Sequence, residues 1–190
     1  MDNRDAIGFA LDQLLAAPDP HPGSRNVRSK ALSPLGTDAD DLIATLDNSL
    51  SSGDRDSLER LVAEVLRASG ADVVAASPDH EIGADFAVWS DVLESLVGNP
   101  LLVEVKAKLR THADVNRAAR QLSTYLGASG SRWGLLLYGE GPDPDSAAWA
   151  RTPPNVIGLP LRALLDGLRS QAFPELVRDL RNRRVHGSNS

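Results

Sequence analysis

Two short apolar segments carry the side chains of this sequence that are best suited to chemistry. Asp85 lies in the first segment, residues 83–88, and Glu104 and Lys106 lie in the second, residues 101–106. Both segments are rich in β-branched residues and are expected to form neighbouring strands. Because alternate side chains of a strand share a face, Glu104 and Lys106 must point the same way. Charges on a strand buried between layers are costly unless something compensates them, and a divalent metal shared with Asp85 would do so.

The segments around these residues show helical and extended patterns in turn. Apolar spacing predicts a helix capped by Asp56 or Ser57 that ends at Gly70, and another helix over residues 113–126. Strands are predicted at residues 72–76, 84–89, 101–109, 133–138 and 156–161, and one or two helices broken near Pro174 at residues 161–185. Strands bracketed by helices predict an α/β or α+β layer architecture with a mixed central sheet flanked by helices, and we assign the α/β class.

The first 53 residues differ in character from the rest. Helical spacing at 4–17 is followed by a segment, 18–33, rich in proline, glycine, serine and basic residues, and 37–50 resumes a helical pattern. We predict a helical N-terminal extension with a linker over residues 1–53 and one domain over residues 54–190. With 190 residues, 42% of them hydrophobic, the chain is long enough for one well-formed core and short for two full domains.

Composition excludes several classes of chemistry. The chain has no cysteine, which excludes disulfides, zinc–thiolate sites, iron–sulfur clusters and cysteine nucleophiles. Its apolar stretches are shorter than the roughly 18 residues needed to cross a bilayer, and a secretory signal pattern is missing from its start. We therefore expect a soluble cytoplasmic protein with no membrane partner. The formal charge of -6 argues against indiscriminate binding to nucleic acid, but basic residues cluster between Lys106 and Arg120.

The order of the elements and the motif residues resemble the PD-(D/E)xK nuclease superfamily, which has the restriction-endonuclease-like fold. The resemblance covers roughly residues 57–140. The motifs that carry it are Gly83-x-Asp85, Glu104-Val105-Lys106 and Gln121-x-x-x-Tyr125. The resemblance implies a restriction-endonuclease-like core and metal-dependent cleavage of nucleic acid.

The same resemblance implies a role for each motif residue. Asp85 and Glu104 would bind Mg²⁺, Lys106 would position or activate the attacking water, and an acid from the preceding helix, here Glu64, would complete the site. Magnesium prefers oxygen ligands and keeps several waters, so two carboxylates and a backbone carbonyl such as that of Val105 are enough ligands from the protein. We expect Mn²⁺ to substitute for Mg²⁺.

Some positions fit this pattern less closely. Ala84 stands where the family has proline before the aspartate. Glu64 lies at the margin of the apolar stripe of its predicted helix or on the solvent-exposed face, where an exposed glutamate is as good an interpretation as a metal ligand. Glu59, on the opposite margin of the stripe, is a rival candidate. Asp91 and Glu94 fall in the insert between the two strands, which is predicted to be a solvated loop.

Arg117, Gln121 and Tyr125 are spaced by four residues and therefore line one strip of their predicted helix. A guanidinium, an amide and a phenol in a row suit contact with a phosphate backbone and a base face. Lys108 belongs to the basic run that directly precedes this helix and is expected to join the contact. The alternative is a helix whose tyrosine is partly buried and whose arginine and glutamine are solvated.

These patterns predict a Mg²⁺-dependent nuclease that hydrolyses phosphodiester bonds of nucleic acid, with DNA as the first choice and a role in antiviral defence or repair. Cutting both strands would require a homodimer or a partner protein, since one site cuts one strand. One alternative is a non-catalytic module of the nuclease fold within a larger complex. Another is a metal-independent ribonuclease of the HEPN type, because Arg181-Asn182-x-x-x-His186 resembles a motif of that all-helical family.

Overall fold

The computed structural model of the chain describes residues 34–36, 38–69, 71–75 and 83–186. Its helices are α1 (Asp38–Ser52), α2 (Arg55–Ala68), α3 (Asp91–Val97), α4 (His112–Ser129), α5 (Leu161–Leu168) and α6 (Phe173–His186). Its strands are β1 (Asp72–Ala75), β2 (Phe86–Trp89), β3 (Leu101–Lys108), β4 (Gly134–Glu140) and β5 (Val156–Pro160). The predicted helix at 4–17, the linker at 18–33 and the helix end at Gly70 lie outside the described residues.

The strands of the described residues form one mixed sheet in the order β1-β2-β3-β4-β5. The pairs β1–β2 and β2–β3 are antiparallel, whereas β3–β4 and β4–β5 are parallel. The central strand is β3, on which Val103 pairs with Phe86 of β2 and with Leu135 of β4. The prediction of an α/β fold with a mixed sheet flanked by helices is confirmed.

Alternation along β3 decides which side chains reach which face of the sheet. Val103 and Val105 point into a first hydrophobic core, which the sheet shares with α1, α2, α3, α5 and α6. Leu102 points into a second core, where α4 covers the opposite face. Glu104 and Lys106 follow Leu102 at intervals of two residues, so both side chains face α4.

Local capping fixes the two helices that flank this strand. Asp54, rather than the predicted Asp56 or Ser57, caps α2, and its carboxylate accepts a hydrogen bond from the Asp56 backbone N–H at 3.1 Å. A capping box between Thr111 and Asp114 begins α4. Both helices therefore start at defined points beside the strands that carry the candidate residues.

The insert between β2 and β3 is the helix α3 and not the solvated loop that was predicted. Leu93 and Val97 are spaced by four residues and are both buried in the first core, which stabilises a helix in spite of its short length. Asp91 and Glu94 lie in the first turn of α3, where acidic residues suit the positive end of a helix.

The remaining helices extend the same core. Leu46 of α1 is 1% exposed and belongs to the first core, so α1 packs on the domain that follows it. The predicted break in the last helical region falls between α5 and α6, and Pro174 lies inside the first turn of α6, where proline is tolerated. Within the described part of the chain, none of the helices combines the length and apolar character that crossing a bilayer requires.

Candidate functional site

Asp85 lies one residue before β2, and its side chain is 1% exposed. The backbone N–H of Val105 donates a hydrogen bond to Asp85 Oδ2 at 2.6 Å. Arg55 Nη2, at the start of α2, donates to the other oxygen, Oδ1, at 2.9 Å. The antiparallel register pairs Phe86 with Val103, so Asp85, one residue before Phe86, comes level with Glu104 and within reach of Val105. The sheet itself therefore holds the carboxylate of Asp85 against β3.

Glu104 is 2% exposed and lies on the α4 face of the sheet. Lys106 Nζ donates a hydrogen bond to Glu104 Oε1, and the lysine side chain is 28% exposed. The second carboxylate oxygen, Oε2, is buried and finds no hydrogen-bond partner among the described residues. An unsatisfied buried acceptor costs about 1–3 kcal/mol, so this atom is a point where a cation would stabilise the protein.

Burial and neighbouring negative charge disfavour the ionised forms of the two carboxylates. Burial, together with the charge of Asp85, raises the pKa of Glu104 from 4.5 to about 7. Burial also raises the pKa of Asp85, and Glu59 adds to the rise, whereas the hydrogen bond from Val105 opposes it. Lys106 and Arg55 lower both pKa values, but not back to the ordinary values of these carboxyl groups. Two local cations therefore do not fully offset the buried negative charge, and a divalent cation would.

Glu59, and not Glu64, is the helix acid with the clearer link to this site. The Glu59 side chain is 14% exposed, and its Oε1 accepts a hydrogen bond from Arg55 Nε at 2.5 Å. Its charge also acts on Asp85. Glu64 is exposed and lines a groove of about 740 Å³ along α2, together with Glu59 and Phe86. The structure thus pairs the rival acid, Glu59, with Arg55, whereas Glu64 is an exposed residue of the groove.

Arg55 is a member of the site that the sequence pattern did not indicate. It bridges Glu59, four residues along the same helix, and Asp85, thirty residues away. The spacing of Arg55 and Glu59 on one helix is a weak local signal that an ion pair forms there. The contact with Asp85 depends on how α2 packs against the sheet, and a linear pattern does not show that.

The predicted strip of Arg117, Gln121 and Tyr125 on α4 has a solvent-exposed end and a buried end. Arg117 is 78% exposed and lies 3.9 Å from Asp114. Gln121 Nε2 donates a hydrogen bond to the Tyr125 hydroxyl at 2.6 Å, and Tyr125 is only 4% exposed in the second core. The ring of Tyr125 is therefore packed inside the protein, and the predicted contact of this helix strip with nucleic acid stays a prediction.

Tyr125 and Lys108 have different relations to the carboxylates. Burial raises the pKa of Tyr125, and the charges of Glu104 and Asp85 add to the rise, so the phenol lies within electrostatic range of the site. Lys108 is 39% exposed, and its Nζ lies 3.0 Å from Glu140 Oε1 at the end of β4. Lys108 and Arg117 are thus exposed cations at the end of β3 and on α4, whereas Tyr125 is packed inside the protein.

The residues present fit a cation held mainly by two carboxylates. Within residues 34–36, 38–69, 71–75 and 83–186, no group of three or more histidine, aspartate or glutamate side chains forms a ready metal cage. Asp85 and Glu104 would supply the charged ligands. Because a strand residue directs its N–H and C=O toward the same neighbour, the Val105 carbonyl faces the same side as the N–H that binds Asp85. Water would complete the shell, as is usual for Mg²⁺.

The pair suggested by the HEPN motif lies on α6. The Arg181 guanidinium lies over the Trp133 ring, 5.7 Å from its centroid. His186 is exposed at the last residue of α6. The central sheet does not match the all-helical domain which that motif implies.

No protein-family model, curated protein or solved structure matches this chain.

Proposed function

We propose that this protein is a metal-dependent nuclease that hydrolyses phosphodiester bonds of nucleic acid. The observation that carries the proposal is the meeting of Asp85, Glu104 and Lys106 at the β2–β3 edge, with one oxygen of Glu104 buried and unpartnered. Two acids can hold a metal ion that stabilises the charge developing on a phosphodiester, and the lysine supplies a further cation beside them.

The order of elements supports a restriction-endonuclease-like core. Helix α2 precedes β1, β2 and β3, and α4 then leads into β4, which is parallel to β3. This is the arrangement around the acidic motif that the sequence resemblance implies. The additional helix α3 is an insertion between β2 and β3 and leaves their pairing intact.

Each residue of the site has a distinct part in the proposed reaction. Asp85, Glu104 and the Val105 carbonyl would hold Mg²⁺, and Mn²⁺ would substitute for it. When bound, this ion supplies Lewis-acid stabilisation of the charge that develops on the phosphoryl oxygens. Lys106 presents its partly exposed ammonium group beside Glu104, where it orients the attacking water and stabilises negative charge in the transition state.

The surface around the site suits a nucleic-acid backbone. Lys108 and Arg117 are exposed at the end of β3 and the start of α4 and would contact phosphates. Gln121 is half-buried and lies one helical turn after Arg117, and we assign it the contact with a sugar or base. We take DNA as the first substrate and antiviral defence or repair in the cytoplasm as the setting. A homodimer or partner protein would supply a second site for double-strand cutting.

Cleavage of labelled oligonucleotides in magnesium buffer tests this proposal. Asp85→Ala and Lys106→Ala should each abolish cutting while circular dichroism shows an unchanged fold. Asp166→Asn is the control, because Asp166 is an exposed acid on α5. If both site variants cut as well as the parent protein, the assignment is wrong.

A second candidate function is a non-catalytic module that keeps this fold within a larger complex. The observation that favours it is that Arg55 already pairs with Asp85, and Lys106 with Glu104. Calorimetric titration with Mg²⁺ or Mn²⁺ separates the two functions, since a module without a metal site should bind neither ion.

A further inference from the structure

Arg55 is a cation of the candidate site that comes from helix α2 and not from the two strands. Its Nη2 donates to Asp85 Oδ1 at 2.9 Å, and its Nε donates to Glu59 Oε1 at 2.5 Å. The guanidinium therefore contacts two different acids with two different nitrogens. Its side chain is 47% exposed, so this contact is formed at the surface end of a buried carboxylate.

The position of Arg55 in its helix does not favour a cation. Arg55 is the first residue of α2, directly after the N-cap Asp54. The start of a helix carries partial positive charge, which stabilises acids and disfavours arginine there. Helix stability alone therefore does not explain this residue, whereas its two ion pairs with Glu59 and Asp85 do.

The two oxygens of Asp85 have different partners. Oδ2 accepts a hydrogen bond from the Val105 backbone N–H, a donor that is fixed in strand β3. Oδ1 is bound only through a side chain, that of Arg55, among the hydrogen bonds of the described residues. A metal ion shared with Glu104 would need an oxygen of Asp85 whose partner can move away. Oδ1 meets that condition because arginine has a long, flexible side chain.

We propose that Arg55 competes with a divalent cation for Asp85: it holds Oδ1 as an internal counter-ion and leaves that oxygen when the metal binds. This inference rests on the proposed function, since it takes Asp85 and Glu104 to be metal ligands. Arg55 thereby lowers the affinity of the site for metal. The ion pair with Glu59 keeps the guanidinium close to Asp85, so that it pairs with Oδ1 again when the metal leaves.

Arg60 provides a matched control on the same helix. It carries the same charge, is 77% exposed, and pairs only weakly with Asp54 at 3.9 Å. Its Nη2 donates to Ser57 Oγ at 2.9 Å, so its contacts lie on the outer side of α2. Removal of Arg60 changes the net charge as much as removal of Arg55 does and leaves the contact with Asp85 in place.

The test is a titration of the full chain with Mn²⁺ alone. Calorimetry and the electron paramagnetic resonance signal of free Mn²⁺ each measure the binding. Arg55→Ala should bind Mn²⁺ roughly tenfold more tightly than the parent protein, which corresponds to about 1.4 kcal/mol, whereas Arg60→Ala should keep the parent Kd. Thermal denaturation in EDTA should give a lower Tm for Arg55→Ala, because Asp85 loses a charged partner, and saturating Mn²⁺ should raise that Tm more than it raises the parent's.

Three results would overturn the inference, and they differ in what else they affect. Equal Kd values for Arg55→Ala and the parent would remove the competition and leave the metal site standing. Equal tightening in Arg55→Ala and Arg60→Ala would reduce the effect to net charge. If neither the parent nor Arg55→Ala binds Mn²⁺, the proposed metal-dependent function fails along with the inference.

Discussion

Replacing Glu104 by glutamine should change how the stability of the protein depends on pH. Glutamine has nearly the same size and shape, so the packing of the buried side chain is preserved, but its amide does not ionise. Glu104 is 2% exposed, and its pKa is raised from 4.5 to about 7 by burial and by the charge of Asp85. Between these two pH values the folded protein binds this proton more tightly than the unfolded chain does.

The sign and size of the effect follow from proton linkage. Because the folded state holds more protons in this window, the free energy of unfolding of the parent falls as pH rises from 4.5 to about 7. A shift of this size corresponds to about 3 kcal/mol of stability lost above pH 7. Glu104→Gln lacks this loss, so its stability relative to the parent should rise by up to about 3 kcal/mol across the window. The raised pKa of about 7 already includes the opposing effect of Lys106, so no further term for that ion pair is subtracted.

Urea denaturation at pH 5, 6, 7 and 8 measures this difference directly. Glu140→Gln is the matched control, because Glu140 also pairs with a lysine but is 59% exposed, where an ion pair contributes little. Saturating Mg²⁺ at pH 8 should stabilise the parent more than Glu104→Gln. If the stability difference between Glu104→Gln and the parent is the same at pH 5 and pH 8, the account of this buried carboxylate is refuted.

Four further predictions concern packing and capping, and urea denaturation checks each. Gly158→Ala should destabilise the protein by about 1–3 kcal/mol, because the added Cβ would lie 2.1 Å from the Trp149 ring. Gly127→Ala, where an added Cβ meets nothing within 4 Å, should stabilise α4 by up to about 1 kcal/mol, and equal effects at the two glycines would contradict this packing. Leu46→Ala should cost about 2–5 kcal/mol, since α1 is part of the core, and a cost near zero would show that α1 is a separate extension. Thr111→Ala should cost about 1 kcal/mol through loss of the capping box of α4, and an unchanged midpoint would argue against that cap.

Most of the fold could be predicted because its patterns are strong. The predicted strand at 101–109 corresponds to β3, Leu101–Lys108, whose buried residues form an almost continuous apolar run. The helix α3 was missed because it is short and carries two acids, and only the burial of Leu93 and Val97 against other elements stabilises it. Contacts of that kind join distant parts of the chain, so local patterns do not show them.

The candidate site was predictable where it depends on strand geometry and less so where it depends on helix packing. Alternation along β3 places Glu104 and Lys106 on one face, and pairing with β2 brings Asp85 beside them. The choice between Glu59 and Glu64 depends on the rotation of α2 against the sheet, for which the apolar stripe is too coarse a guide. Helical spacing likewise aligns Tyr125 with its neighbours on α4 but does not show that its ring is buried.

The central claim is that Asp85 and Glu104 form one site for a divalent cation, and a crystal soaked in Mn²⁺ tests it most directly. We predict anomalous density at about 2.1 Å from an oxygen of each carboxylate, with the Arg55 guanidinium withdrawn from Asp85. Density elsewhere, or two carboxylates still paired only with Arg55 and Lys106 at saturating Mn²⁺, would contradict the account.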